Sequence, residues 1–288
     1  MAINSVANSL AKSGDVFTSD DDPELIRDAL PFGLKTIETL LVEVPKHQGL
    51  LLAACMGYAQ YGFAFVQTDA DLAGTDEYER STQLRDRALK LYLRARGYGL
   101  RALELRHPGI TARLETDPDR AVTAIPAKEQ AIAFWTAASW GLAISAGKDR
   151  PELLADLAAV RSLMNRALAL GESFDRGTIH EALIPLDALP AAMGGSLDRA
   201  REHFRRAVEL SDSARASPFV TWAENVSVPT QNRAEFERLL HHALDIDPDR
   251  DPSARLATLL AQRRARALLG RADELFVDSE PPQPKESR

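Results

Sequence analysis

Apolar residues recur along this chain at helical spacing, and one arrangement of them returns in register. Ala200-x3-Phe204-x2-Ala207 and Phe236-x3-Leu240-x2-Ala243 each place three apolar side chains on one helix face, and Pro248 follows the second copy. This is the second-helix pattern of a tetratricopeptide-type hairpin. Val160-x3-Met164-x2-Ala167, Gly33-x3-Ile37-x2-Leu40 with Pro45, and Ala95-x3-Gly99-x2-Ala102 fit the same frame. Its last position falls at 40, 102, 167, 207 and 243, so the spacings are 62, 65, 40 and 36. Only the last two approach the ~34-residue period of that repeat. The pattern predicts an all-α, TPR-like α-solenoid with irregular repeats, whose two long gaps hold extra helices. Hairpins of this kind bury their apolar faces only against neighbours and leave an extended inner surface, which favours binding over chemistry.

Caps and breakers divide the pattern into about eleven helices. Ser19-Asp20-Asp21-Asp22-Pro23-Glu24 supplies cap residues, a first-turn proline and acidic charge at the positive end of a helix dipole. A helix is expected over residues 23–44, bent or broken at Pro31, with a short amphipathic helix over 3–12 before it. Further helices are expected over 48–67, 78–105, 127–146, 152–170, 174–189, 197–211, 218–228, 233–245 and 252–276. The polar stretch 70–77 reads as a loop, and 107–126 as a loop carrying a short helix. No low-complexity linker interrupts residues 1–277, which read as a single TPR-like helical domain. The tail 278–288, with three prolines among mostly polar residues, reads as disordered.

Charge narrows the partners. With 35 basic against 42 acidic residues the chain carries −7, which argues against nucleic acid. Arg205-Arg206 and Arg263-Arg264 with Arg266 read as solvated helix faces. The single cysteine, Cys55, excludes an internal disulfide and sits in an apolar run as a small hydrophobe. No apolar run reaches the ~18 residues that span a bilayer, and no charged start followed by an apolar stretch marks a signal peptide. Zinc-type cysteine spacing, a phosphate-cradling glycine loop and a nucleophile elbow are all missing, so no metal, cofactor or enzymatic activity is expected.

Candidate binding residues come from the aromatic and isolated polar positions. Tyr58, Tyr61 and Phe65 are spaced three and four apart on one helix face. Trp135 and Trp140 are five apart, ~140° round a helix, so one can face the core while the other meets a cavity. Rings at such spacing are ordinary core filling; in a protein with a ligand cavity they are its lining, since such cavities are mainly apolar with a few polar groups. His180-Glu181 offers acid–base chemistry. Adjacent helical residues point ~100° apart and no nucleophile lies nearby in sequence, so a buried hydrogen bond is the first reading of His180 and a hydrolase the last. Glu224 follows the apolar stretch 219–223 and needs a partner, for which the arginines at 263–266 are suited; its second reading is a polar group in a cavity. His241-His242 with Asp245 lacks the further ligands zinc requires.

Longer stretches carry a family resemblance. Asp20-Asp21-Asp22-Pro23-Glu24-Leu25-Ile26-Arg27-Asp28-Ala29-Leu30-Pro31-Phe32 and Tyr61-Gly62-Phe63-Ala64-Phe65-Val66 are followed by Leu91-Tyr92-Leu93-Arg94-Ala95-Arg96 and His107-Pro108-Gly109. Then come Phe134-Trp135-Thr136-Ala137-Ala138-Ser139-Trp140-Gly141, Gly177-Thr178-Ile179-His180-Glu181, Ala200-Arg201-Glu202-His203-Phe204 and Leu259-Leu260-Ala261-Gln262-Arg263-Arg264-Ala265-Arg266. In this order they resemble the T component (TatT) of tripartite ATP-independent periplasmic (TRAP) transporters. The resemblance implies a helical cryptic-repeat protein of the bacterial periplasm, often a lipoprotein anchored through an N-terminal cysteine, and a homotrimer. It implies a non-enzymatic accessory role beside the periplasmic solute-binding protein, with an apolar cavity passing a small organic or apolar ligand. Tyr58, Tyr61, Phe65, Trp135, Trp140, His180 and Glu224 would then be the ligand-binding residues. The chain departs from the family pattern in starting at Met1 without a lipid-acceptor cysteine, so it is expected to be either a trimmed mature form or unanchored. A general TPR-type protein- or peptide-binding scaffold is the alternative function.

Overall fold

A computed structural model describes residues 2–11, 14–73 and 77–277, so the expected disordered tail lies outside the described residues. Among the described residues there are fourteen helices and no strand. The first seven are α1 (Ala2–Ala11), α2 (Gly14–Thr18), α3 (Pro23–Glu43), α4 (Gln48–Leu72), α5 (Tyr78–Arg106), α6 (Ile110–Thr116) and α7 (Pro118–Val122). The others are α8 (Gln130–Ala146), α9 (Leu157–Leu170), α10 (Thr178–Asp187), α11 (Leu197–Leu210), α12 (Ser217–Trp222), α13 (Arg233–Leu244) and α14 (Arg255–Gly270). The short helix expected within 107–126 is present as two, α6 and α7, and α2 is a further one; these three run only five to seven residues and are too short to display a hydrophobic period.

Local signals set most boundaries. The Asp22 side chain accepts from the Leu25 N–H at 3.0 Å and caps α3. This helix passes Pro31 without a break: the proline removes one backbone donor, while Ile26 before it and Leu34, Ile37 and Leu41 after it are all buried and hold both halves to the same neighbours. Helix α4 does not stop at 67. It continues through a π-helical turn, Gly62–Gln67, to Leu72. The resulting helix is, by length and composition, long and apolar enough to cross a membrane, contrary to the sequence expectation; 61% of its most apolar window is buried, as in a core helix.

The repeated frame marks buried faces. Ala95 and Ala102 on α5, Val160, Met164 and Ala167 on α9, Ala200 and Ala207 on α11, and Phe236, Leu240 and Ala243 on α13 are all buried. The first long gap holds no extra helix besides α4; its length is taken up by α4 and α5 themselves, of 25 and 29 residues. The second holds α6, α7 and α8. Helices pack in chain order, α3 on α4, α4 on α5, α5 on α8, α8 on α9, α9 on α10, α10 on α11, and on through α12 and α13 to α14. Carbonyls at helix C-termini are capped by side chains of neighbouring elements: Gln130 donates to the Ala167 and Gly171 carbonyls, Arg176 to Ser211, and Gln262 to Ala243, Leu244 and Ile246. At one set of corners the buried Arg215 donates to the Asp175 carbonyl at 2.8 Å, to Asp175 Oδ1 at 2.9 Å and to Asp251 Oδ2 at 2.9 Å, tying together the turns before α10 and before α14.

The last long helix then returns to α2 and α3. Helix α14 packs on α2 and α3; Leu256 joins the core cluster of the N-terminal two-thirds, while Ala261 and Ala265 join that of the C-terminal third. Arg255 donates to the Ser19 carbonyl at 3.0 Å, Arg263 pairs with Glu24 at 2.7 Å, and Arg271 donates to the Asp71 carbonyl at 2.7 Å. Arg264 pairs with Asp71 at 2.9 Å and with Glu224 at 2.7 Å. Its side chain is only 14% exposed, so it is not part of a solvated face.

Two substitutions test this packing. Arg264→Leu leaves Asp71 and Glu224 without their cation, and should lower the urea-unfolding free energy by about 3–5 kcal/mol. Gly99→Ala places a methyl against the Thr136 hydroxyl and 3.1 Å from Cys55 Sγ where α5 crosses α8 and α4; a loss of about 1–3 kcal/mol by the same assay is expected from overpacking.

Candidate functional site

Helices α4 and α5 bring the expected aromatic stripe under a row of arginines. Tyr58, Tyr61 and Phe65 are all buried. The Arg94 guanidinium lies 4.9 Å from the Tyr58 ring centroid, Arg87 5.9 Å from Tyr61, and Arg27 of α3 5.5 Å from Phe65. Tyr58 stacks on Tyr98 with centroids 6.1 Å apart, and Arg101 covers Tyr98 at 5.4 Å. Each contact combines ring quadrupole and cation, worth about 0.5–2 kcal/mol. Arg80, Arg87, Arg94 and Arg101 recur every seven residues, which puts them in one line along α5. This sevenfold spacing is the signal in the sequence for the caps, and it is hidden when the helix is read as merely arginine-rich.

A polar knot sits beside this stripe. Glu38 of α3 accepts from Lys35 Nζ at 2.6 Å and the Tyr98 hydroxyl at 2.6 Å, and forms an ion pair with Arg94 Nε at 2.5 Å. Partial burial would raise the Glu38 carboxyl, but these partners and Tyr58 together hold it below the usual carboxylate range. No hydrogen bond of acceptable geometry reaches the buried Tyr58 hydroxyl. Burial and the nearby Glu38 charge push its titration up. Cys55, on the same helix, is buried with Sγ 3.9 Å from the Ser139 hydroxyl, and burial pushes the thiol up to about 12. Such a thiol is inert as a nucleophile.

The other expected residues lie in separate surroundings. Trp140 is buried, donates to Asp156 Oδ2 at 2.9 Å and is covered by Arg96 at 4.9 Å. Trp135 is half-buried and meets Phe134 edge-on at 5.0 Å. Glu224 is bound by Arg264, the partner its apolar neighbours demand, and Arg264 also reaches Asp71, six residues beyond Phe65. Two depressions among the described residues are shallow. One of about 490 Å³ is lined by α3 and α5 residues including Lys35, Glu38, Arg94, Tyr98 and Arg101. The other, of about 350 Å³, is lined by Val44, Pro45, Lys46 and His47. None of the seven expected ligand-binding residues lines either.

His180 takes part in a feature that the sequence did not reveal. Its Nδ1 lies 2.8 Å from Nδ1 of His203 on α11, and its Nε2 3.4 Å from Glu172. His203 Nε2 is 3.4 Å from Asp187, itself held by Arg161 at 2.6 Å and Arg199 at 2.9 Å. An Nδ1···Nδ1 hydrogen bond requires one ring to donate and the other to accept, so the pair cannot keep it with both rings fully protonated. Burial lowers both imidazoles below the usual histidine range; Glu172 opposes this at His180, while at His203 the His180 charge adds to it and Asp187 opposes. Glu181 points to different partners, accepting from Ser217 at 2.9 Å and Thr221 at 3.1 Å, and burial raises its carboxyl. His180 and Glu181 therefore do not converge on one atom.

A base whose folded pKa is depressed contributes stability that is complete above its unfolded value, about 6.5, and is lost as the pH falls below it. Unfolding free energy should therefore fall between pH 7.5 and 5.5 (about 1.4 kcal/mol per pH unit for each extra proton bound by the unfolded chain), and His203→Gln should flatten the slope. Glu181, raised by burial, works in the opposite direction and is common to both proteins. Equal slopes for the two in urea titrations would refute the coupling.

Comparison with known proteins places this arrangement in a family. Residues 19–276 match the family model described as TRAP transporter T-component. An uncharacterized protein of Treponema pallidum (strain Nichols) is 31% identical over 268 residues, covering 91% of this chain and 83% of its own length. With a family match from before the α3 cap to the last residues packed behind α14, the chain belongs to the TRAP transporter T-component family.

Proposed function

We propose that the chain is the non-enzymatic accessory component of a TRAP transporter, docking the periplasmic solute-binding protein. In this reading residues 1–277 form one TPR-like domain that works as a homotrimer on the periplasmic side of the membrane, and its precursor is lipid-anchored. The family match over residues 19–276 carries the proposal. The return of α14 onto α2 and α3 supports it against a general peptide-binding scaffold, which needs an inner surface open from end to end. Separate partners for His180 and Glu181 count against the hydrolase.

A small organic or apolar ligand would pass along the rings of Tyr58, Tyr61, Phe65, Trp135 and Trp140, with His180 and Glu224 as the polar groups of its path. Arg87, which covers the Tyr61 ring, is suited to gating it. A cation–π contact of about 0.5–2 kcal/mol yields readily to an apolar molecule that replaces the guanidinium, which returns to water. Size-exclusion light scattering and surface plasmon resonance with the solute-binding protein of the same transporter test the reading. A trimer that binds this protein is expected; a monomer that does not would refute it.

A further inference from the structure

Helix α3 carries an exposed stripe that the core does not use. Phe32, Lys35, Thr39 and Val42 are spaced three, four and three apart and span an arc of ~80°. Phe32 is 79% and Val42 77% exposed. The Thr39 hydroxyl is spent on the Lys35 carbonyl at 3.0 Å, which leaves its methyl for any partner. Across from the stripe, α5 presents Arg94, Tyr98 and Arg101, which with Lys35, Thr39 and Val42 line the groove of about 490 Å³; Phe32 lies on the same helix face, one turn before Lys35. Glu38 holds Arg94 and Tyr98 in place, and Arg101 lies over the Tyr98 ring, so these side chains lose little freedom on meeting a partner. Ordered Arg and Tyr side chains beside exposed apolar ones have the composition of a protein-binding hot spot.

Depth and charge select the occupant. A groove this shallow cannot bury the ~70–90% of a small molecule's surface that pockets usually cover. The chain is acidic overall at −7. This groove reverses that balance, with Lys35, Arg94 and Arg101 against Glu38 alone. A second copy meeting the same face across a two-fold axis would set cations against cations; a neighbour in the homotrimer proposed above would present a different face, and self-association is therefore one of the outcomes measured. We infer that the α3–α5 face docks an acidic, apolar-edged surface of the solute-binding protein; that identity of the partner rests on the function proposed above. Phe32 and Val42, ~15 Å apart along the helix, anchor the contact, and the arginines set its orientation and association rate.

Surface plasmon resonance on immobilised solute-binding protein tests this with Phe32→Ser, Val42→Ser and Arg101→Glu, and with the exposed Val277→Ser as control. Each of the first three should weaken binding at least about tenfold with an unchanged melting temperature. The Arg101→Glu effect should fall mainly on the association rate and shrink between about 50 and 300 mM salt. Wild-type binding that survives all three substitutions overturns this docking face and leaves the accessory role standing. No binding by the wild type overturns both. Self-association that Phe32→Ser abolishes overturns the inference by giving the face to a second copy.

Discussion

The buried charge of Arg264 is the constraint on which the closure of this molecule depends. A guanidinium taken out of water is costly unless several acceptors surround it, and Asp71, Glu224 and the Arg264 helix itself come from three distant parts of the chain. Two irregular helices deliver the acceptors. The π-helical turn Gly62–Gln67 lies just before Thr68 and Asp71, and a second one, Ala223–Ser227, contains Glu224. A π turn carries one extra residue and so rotates the succeeding turns by ~100° relative to a continuous α-helix. Register in both helices is thus adjusted at the places where their carboxylates must meet one cation.

The same logic of paired charge governs the C-terminal third. Close packing of short helices buries the corners between them, and buried backbone groups need partners. Arg215 satisfies one set of corners and Asp187, gripped by Arg161 and Arg199, stabilises the opposite end of the α9–α10–α11 layer. Gln130 and Gln262 cap helices other than their own. These polar contacts fix how neighbouring helices are offset, which alanine-rich apolar faces alone leave loosely specified.

Much of this architecture is legible in the sequence. Most positions of the apolar frame at Ala200, Phe236 and their counterparts are buried in the structure, while Gly33, Leu40 and Phe204 are half-buried, because periodicity reports the side a helix turns inward. Asp22 announces the start of α3, and Glu224 announces its need for an arginine. Helix α2, and the division of the short helix expected within 107–126 into α6 and α7, escape because one or two turns hold no period. Arg264 reads as solvated because its neighbours in sequence are arginines too; its partners lie 193 and 40 residues away, and no local signal distinguishes it from Arg263. Spacing singles out Tyr58, Tyr61 and Phe65, which are all buried, but it cannot tell that arginines cover the rings. The histidine pair joins residues 23 apart on neighbouring helices, and only packing brings His203 to His180.

Closure also bears on how such a chain can change over evolutionary time. Open arrays of helical hairpins lengthen and shorten by duplicating or deleting units, since each unit touches only its neighbours. Here the last long helix must meet the second, third and fourth, through Ser19, Glu24 and Asp71. Inserting or removing a hairpin between them would carry Arg264 away from its acceptors. Closure therefore penalises a change in the number of helices between them more than a change in loops or surface residues.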